Sequence, residues 1–215
     1  MICSLGETPT TLRSRFAFVR LVPPLQICST PLNGMVTIEP HVFEDHRGFF
    51  AETFNKQRFG EVGLPEEFVQ QNYSRSRYGT LRGLHYQIEH PQGKLVRAVR
   101  GTIFDVAVDL RRDSPTFGQW SGVHLTEVNC RQLYVPPGFA HGFCVLSDVA
   151  DVVYGCTDFY HSQYERTILW NDAQLAIDWP IDNPVLSDKD RRGVSFEEAP
   201  YFNEAKSLLP RSSRA

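Results

Sequence analysis

No run of apolar residues in the 215-residue chain approaches the roughly 18 needed for a membrane-spanning helix. Paired cysteines are missing too. The five cysteines (Cys3, Cys28, Cys130, Cys144, Cys156) are scattered and odd in number, and none belongs to a CxxC pair. That excludes a disulfide framework or a zinc knuckle as the natural reading, so reduced thiols and a cytoplasmic setting are expected. An excess of one charge is also absent. A net charge of -3 gives no general affinity for nucleic acid or anionic membranes, but leaves room for one compact anionic ligand held by a few local Arg and Lys. There is no internal repeat, and helix signals are few.

What remains is an ordinary globular composition, 41% hydrophobic and 22% charged, at a length that suits one domain with a sizeable core. Residues 1–34 stand apart. They hold Arg13, Arg15 and Arg20 against a single acid, Glu7, among several Ser, Thr and Pro. This is weakly transit-peptide-like, without a secretory apolar stretch, and is expected to be a poorly ordered extension. The domain is expected over 35–205, followed by a polar tail at 206–215.

From Met35 onward the pattern is one of short strands. In Ile103–Leu110, Phe104, Val106, Val108 and Leu110 fall on one face, and Asp105 and Asp109 on the other. Similar runs are Val36–Ile38, Phe49–Phe54, Leu95–Arg100, Ser121–Leu125, Gln132–Val135, Gly142–Leu146, Val152–Cys156 and Thr167–Trp170. Turn signals separate them, among them His46-Arg47-Gly48 and His90-Pro91-Gln92-Gly93. A short helix is expected over Asn55–Gly63, with Asn55 as N-cap, and another after Ser187. Many short strands with Gly/Pro turns predict an all-β fold, a jelly-roll barrel with a few short helices.

Certain polar residues interrupt these strands. His85 follows Arg82, and Gln70, Gln71 and Asn72 form a polar run that is costly to bury without partners. Lys94 shares a strand face with Val96 and Ala98, so it needs a counter-charge, which Asp105 on the next strand can supply. His141 sits among aromatics, and Tyr154 places a phenol in a strand. Each has a plainer explanation as a core histidine, a packing tyrosine or a surface ion pair. Together they make a base (His85), an acid (Tyr154) and a cationic stabiliser (Lys94), the equipment for proton transfer beside a carbonyl. The competing interpretation is a metal site formed by convergence of His85, His90 and His141. The HxH pair of metal-binding barrels is missing, since Tyr86 and Gln87 follow His85.

The stretches DHRGFFAE (Asp45–Glu52), FVQQN (Phe68–Asn72), LRGLHYQ (Leu81–Gln87), QGKLVR (Gln92–Arg97), FDVAVD (Phe104–Asp109), SPTFG (Ser114–Gly118), PGFAHGF (Pro137–Phe143), ILWND (Ile168–Asp172) and LSDKD (Leu186–Asp190) run in order through the chain. In them the sequence closely resembles the dTDP-4-dehydrorhamnose 3,5-epimerase family of the cupin superfamily. The resemblance implies a cupin-type jelly roll acting as a homodimer without metal or organic cofactor. It implies His85 as base, Asp190 as the carboxylate orienting it, Tyr154 as acid and Lys94 near an enolate oxygen. It also implies substrate ligands at Gln70, Gln71, Asn72, Arg82, His141, Glu165 and Lys189, and an aromatic at Tyr160 that stacks on thymine. Arg47 and Glu52 are expected to reach the site of a partner subunit. Gln71 departs from the family, where an acid is common.

The implied substrate is a dTDP-4-keto-6-deoxyhexose inverted at C3 and C5. Three other readings compete with this one. They are an epimerase acting at one carbon only, a metal-dependent cupin enzyme, and a sugar-nucleotide binding module without turnover.

Overall fold

The computed structural model describes residues 25–203. Most of the expected N-terminal extension, residues 1–24, and the whole expected tail lie outside the described residues. In chain order the first elements are β1 (Gln26–Ser29), β2 (Val36–Glu39), β3 (Val42–Asp45), β4 (Gly48–Ala51), α1 (Lys56–Glu61), β5 (Gln70–Arg77), β6 (Leu81–Gln87), β7 (Lys94–Arg100) and β8 (Thr102–Asp109). They are followed by β9 (Trp120–Thr126), β10 (Gln132–Val135), β11 (Phe139–Val145), β12 (Val149–Cys156), a 3-10 turn (Ser162–Tyr164), β13 (Glu165–Thr167) and α2 (Asp188–Arg191).

Two antiparallel sheets face each other as a cupin-like jelly roll. One has the order β1-β2-β10-β7-β12-β5 and the other β13-β6-β11-β8-β9, while β3 and β4 form a separate hairpin. The layer between the sheets is filled by Val96, Ala98, Leu133 and Val152 from the first and Ile103, Ala107, Leu125 and Phe143 from the second. A second apolar layer lies on the far side of the five-stranded sheet. There Phe104, Val106, Val108 and Leu110 meet Ile168, Leu175, Trp179, Phe196 and Phe202 of the C-terminal segment. Each such side chain contributes about 1.5–3 kcal/mol on full burial.

This double covering explains β8. Its apolar face is directed at the C-terminal segment, while the face bearing Asp105 shares the inter-sheet layer with Ile103 and Ala107. Alternation alone marks the two faces correctly but does not say that the acidic one points inward.

The expected strand at Thr167–Trp170 lies earlier, at Glu165–Thr167, because Ile168 instead bridges Val194 of the covering segment. The expected helix is α1, with Asn55 Oδ1 accepting from Arg58 N at 3.2 Å as its N-cap. The helix after Ser187 is α2.

The barrel begins before residue 35. β1 pairs with β2, with Ile27 opposite Ile38, and Leu32 and Met35 are buried in the inter-sheet layer. The Ser/Thr/Pro character of the segment hides these few apolar anchors. No helix among the described residues is long and apolar enough to cross a membrane.

Candidate active site

The cavity opens between the ends of β6, β7 and β13 and the start of β11. His85 leaves β6 where that strand crosses β11 at close range. Gly83 has φ +129°, and a Cβ there would fall 2.6 Å from Gly142 Cα. Only glycine tolerates both the dihedral and the approach. The register between β6 and β11 shifts at this point, and His85 comes to lie opposite His141.

His85 Nε2 is 2.5 Å from Asp190 Oδ1. Asp190, 2% exposed, is delivered by α2. Its N–H is capped by Ser187 Oγ at 3.2 Å, and the same hydroxyl donates to Asp190 Oδ2 at 2.6 Å. Burial disfavours the Asp190 carboxylate, but hydrogen bonds from His85, Ser187 and Gly83 N–H outweigh it and hold the pKa at about 2. An ionised carboxylate can only accept, so Nε2 of His85 carries the proton and Nδ1 is left as the basic nitrogen. Burial pushes the His85 pKa below its ordinary value. Asp190 opposes this, while the cations Lys189 and Lys94 add to it.

Lys94 lines the same cavity as His85, Gln87, Tyr160 and Glu165. Burial pushes its pKa down, and Cys156, Asp105 and Glu165 act in the opposite sense. Asp105 thus acts on Lys94 as expected, but its hydrogen bond goes to His141 Nε2, at 2.8 Å. Tyr154, on β12 opposite Asn72 and Val96, has its phenol pushed up by burial and by Cys156, with Arg82 working against them.

A polar chain forms the rim. Lys189 Nζ donates to Glu165 Oε1 at 2.8 Å, and the Tyr160 hydroxyl donates to Glu165 Oε2 at 3.0 Å. Tyr160 N–H donates to Gln70 Oε1 at 2.9 Å, and Gln70 Nε2 donates to Asn72 Oδ1 at 3.0 Å. Burial raises the Glu165 pKa, but Lys189 and Tyr160 overcome it and keep the carboxyl below its usual range. Arg82 reaches Ser76 Oγ at 3.0 Å, on the inward face of β5.

Three expected site residues lie away from this cavity, and two of them, Arg47 and Glu52, were expected at a partner's site rather than at this one. Gln71 is on the outward face of β5, in a groove with Phe54, Phe68 and Arg97, because neighbours on a strand point to opposite sides. Arg47, 78% exposed at its side chain, pairs with Asp45 in the β3–β4 hairpin at 2.5 Å. Glu52 is engaged by Asn55 at 3.0 Å and by Arg58 at 2.5 Å.

The imagined convergence of His85, His90 and His141 does not occur. Two of these bind separate carboxylates, and His90 lies near Asp158 and His161. Ser187 and Gln87 were not singled out from the sequence. Gln87 closes the LRGLHYQ stretch, and its polarity at the end of an apolar strand is the signal. Its carboxamide donates to His90 O at 2.7 Å and accepts from His161 N–H at 2.6 Å.

A family model described as dTDP-4-dehydrorhamnose 3,5-epimerase matches residues 29–198. The Pseudomonas aeruginosa dTDP-4-dehydrorhamnose 3,5-epimerase is 57% identical over 170 residues, covering 78% of this chain and 94% of that one. The Shigella flexneri enzyme of the same name is 55% identical over 180 residues, covering 83% and 99%. Among solved structures, a Legionella pneumophila dTDP-6-deoxy-D-glucose-3,5-epimerase in complex with dTDP-4-keto-L-rhamnose superimposes with a TM-score of 0.80. It is 48% identical and the match covers 88% of this chain and 100% of that one. On this agreement of sequence and fold, the chain belongs to the dTDP-4-dehydrorhamnose 3,5-epimerase family.

Proposed function

We propose that the protein inverts C3 and C5 of dTDP-4-keto-6-deoxy-D-glucose, giving dTDP-4-keto-L-rhamnose, by two rounds of proton removal and return. The observation that carries this reading is the His85–Asp190 pair at 2.5 Å, sharing its cavity with Lys94. The C4 ketone acidifies the hydrogens on both neighbouring carbons. His85, kept neutral by burial and nearby cations, takes the proton through Nδ1. Asp190, held at about 2, stabilises the imidazolium that results. A neutral imidazole is a far weaker base than an enolate, so the developing oxyanion needs a fixed positive group, and Lys94 supplies it. Tyr154, its phenol pushed up by burial, stays protonated and returns a proton to the opposite face. Two groups on two faces produce inversion, whereas one base alone restores the starting configuration.

Arg82 suits the diphosphate, because a guanidinium fork matches phosphate oxygens. Tyr160, half exposed and with its hydroxyl tied to Glu165, offers a ring face for thymine. We infer a homodimer in which Arg47 and Glu52 complete the partner's site. Support comes from the hairpin that carries Arg47 and exposes Phe49 (63%) and Phe50 (68%), an apolar pair that water disfavours.

The test is incubation with dTDP-4-keto-6-deoxy-D-glucose in D2O, followed by NMR of the sugar. Deuterium at both C3 and C5 is expected. Label at one carbon only points to a single-centre epimerase, and no label from folded protein overturns the assignment.

A further inference from the structure

Behind the rim residue Tyr160 lies a group of side chains that the epimerase chemistry does not use. His90, Asp158 and His161 place their ligand atoms within 4.8 Å of one another. His90 Nδ1 is 3.4 Å from Asp158 Oδ2. Two donors ~2.1 Å from a tetrahedral zinc ion stand roughly 3.4 Å apart, so this pair already has the required spacing. The two imidazole rings are 4.6 Å apart at 39°, and the His90 ring stacks on Tyr164 at 5.7 Å.

The supports of the three donors are also in place. Asp158 Oδ1 accepts from Phe159 N–H at 2.7 Å, which orients the carboxylate and leaves Oδ2 turned to His90. Gln87, 4% exposed, joins the two segments from below. It donates to His90 O and Phe159 O and accepts from His161 N–H. Gln92 Nε2 donates to Asp158 O at 2.8 Å. Outer contacts of this kind fix the direction of metal ligands.

We propose that His90, Asp158 and His161 form a binding site for a divalent cation of the zinc class, which clips residues 157–161 to residues 88–92. Two imidazoles and one carboxylate select zinc, cobalt or nickel over magnesium, which prefers oxygen alone. The remaining coordination positions go to water. The site is separate from His85, whose Nε2 is committed to Asp190. Its role is structural. Asp158 and His161 flank Tyr160, so the ion holds the segment that carries that ring. The importance of this for nucleotide binding rests on the reading of Tyr160 given above, but the existence of the site does not.

The test is calorimetric titration of untagged, chelator-washed full-length protein with ZnCl2. It is repeated with CoCl2, followed by visible absorption, and with MgCl2. One zinc per chain is expected, with no magnesium uptake. His90→Ala and His161→Ala should each weaken zinc binding at least about tenfold, and Asp158→Asn, which keeps the bond to Phe159 N–H, should do likewise. His85→Ala should leave the zinc affinity within about twofold. Zinc should slow amide exchange over residues 157–161 in the wild type and not in the His90→Ala/His161→Ala double variant. Absence of stoichiometric zinc, or unchanged affinity in that double variant, overturns the proposal. Because the titration needs no substrate, its outcome is independent of whether the epimerase assignment holds.

Discussion

Two histidine–carboxylate pairs lie side by side in the barrel wall. His85 and His141 are partners across β6 and β11, and each directs Nε2 at an aspartate, at 2.5 and 2.8 Å. Their surroundings differ. Both oxygens of Asp190 are engaged, one by His85 and Gly83 N–H and the other by Ser187. Asp105 sits on a central strand and has its Oδ2 without a partner. The His85 side chain is 22% exposed and lines the cavity, while that of His141 is 8% exposed. On the proposed chemistry, the ring that lines the cavity with a satisfied carboxylate behind it is the one set up for proton transfer. The second pair is sunk deeper into the wall, and its carboxylate favours the charge on Lys94.

Substituting each histidine breaks the comparison most directly. His85→Asn should lower kcat/KM by about 10²–10⁴-fold with the fold intact. His141→Asn should cost far less activity but about 1–3 kcal/mol of stability, because it strands a buried carboxylate. Urea unfolding and steady-state kinetics on both variants decide the matter, and equal losses of activity would erase the distinction. Lys94→Met should cost about 10²–10³-fold in kcat, the usual price of removing one donor to a developing oxyanion. A change confined to KM would move Lys94 out of the reacting centre.

Arg82→Ala should raise KM roughly 10–100-fold with kcat little affected, since a charge-assisted bond of ~1.5–3 kcal/mol is lost. An unchanged KM would place the diphosphate elsewhere. The smallest effect concerns pH. With His85 depressed, the acid limb of kcat/KM should fall below pH 6.5, the ordinary histidine value. Lys189 disfavours the imidazolium, so Lys189→Gln should raise the His85 pKa and move that limb to higher pH. Movement in the opposite direction would mean that the limb belongs to another group.

The sequence was legible where apolar and polar residues alternate, as in β8, and where a cap is explicit, as at Asn55. β5 was missed because its sequence, QQNYSRSR, has almost no apolar residues. Its less exposed residues Gln70, Asn72, Ser74 and Ser76 are all polar, so the alternation carries no apolar signal. The same strand explains the misplacement of Gln71, since adjacent residues on a strand cannot share a face. The nearness of His85, Lys94 and Asp190 was readable because their motifs mark them. The second histidine–carboxylate pair was not, because the sequence offers Asp105 as a partner for Lys94 and gives no sign that it bonds His141. The His90–Asp158–His161 group was equally hidden. His90 is far along the chain from Asp158 and His161, and the two segments meet only in the fold, where Gln87 and Gln92 join them.

Asp190 follows His85 by 105 positions. At about 5–20 residues per second, the ribosome needs on the order of 5–20 s to add that length. Throughout this interval the barrel strands can assemble around a histidine that has no carboxylate to set its tautomer. On the proposed chemistry the protein stays chemically mute during its own synthesis, and the segment that seals the outer apolar layer is the same one that supplies the carboxylate.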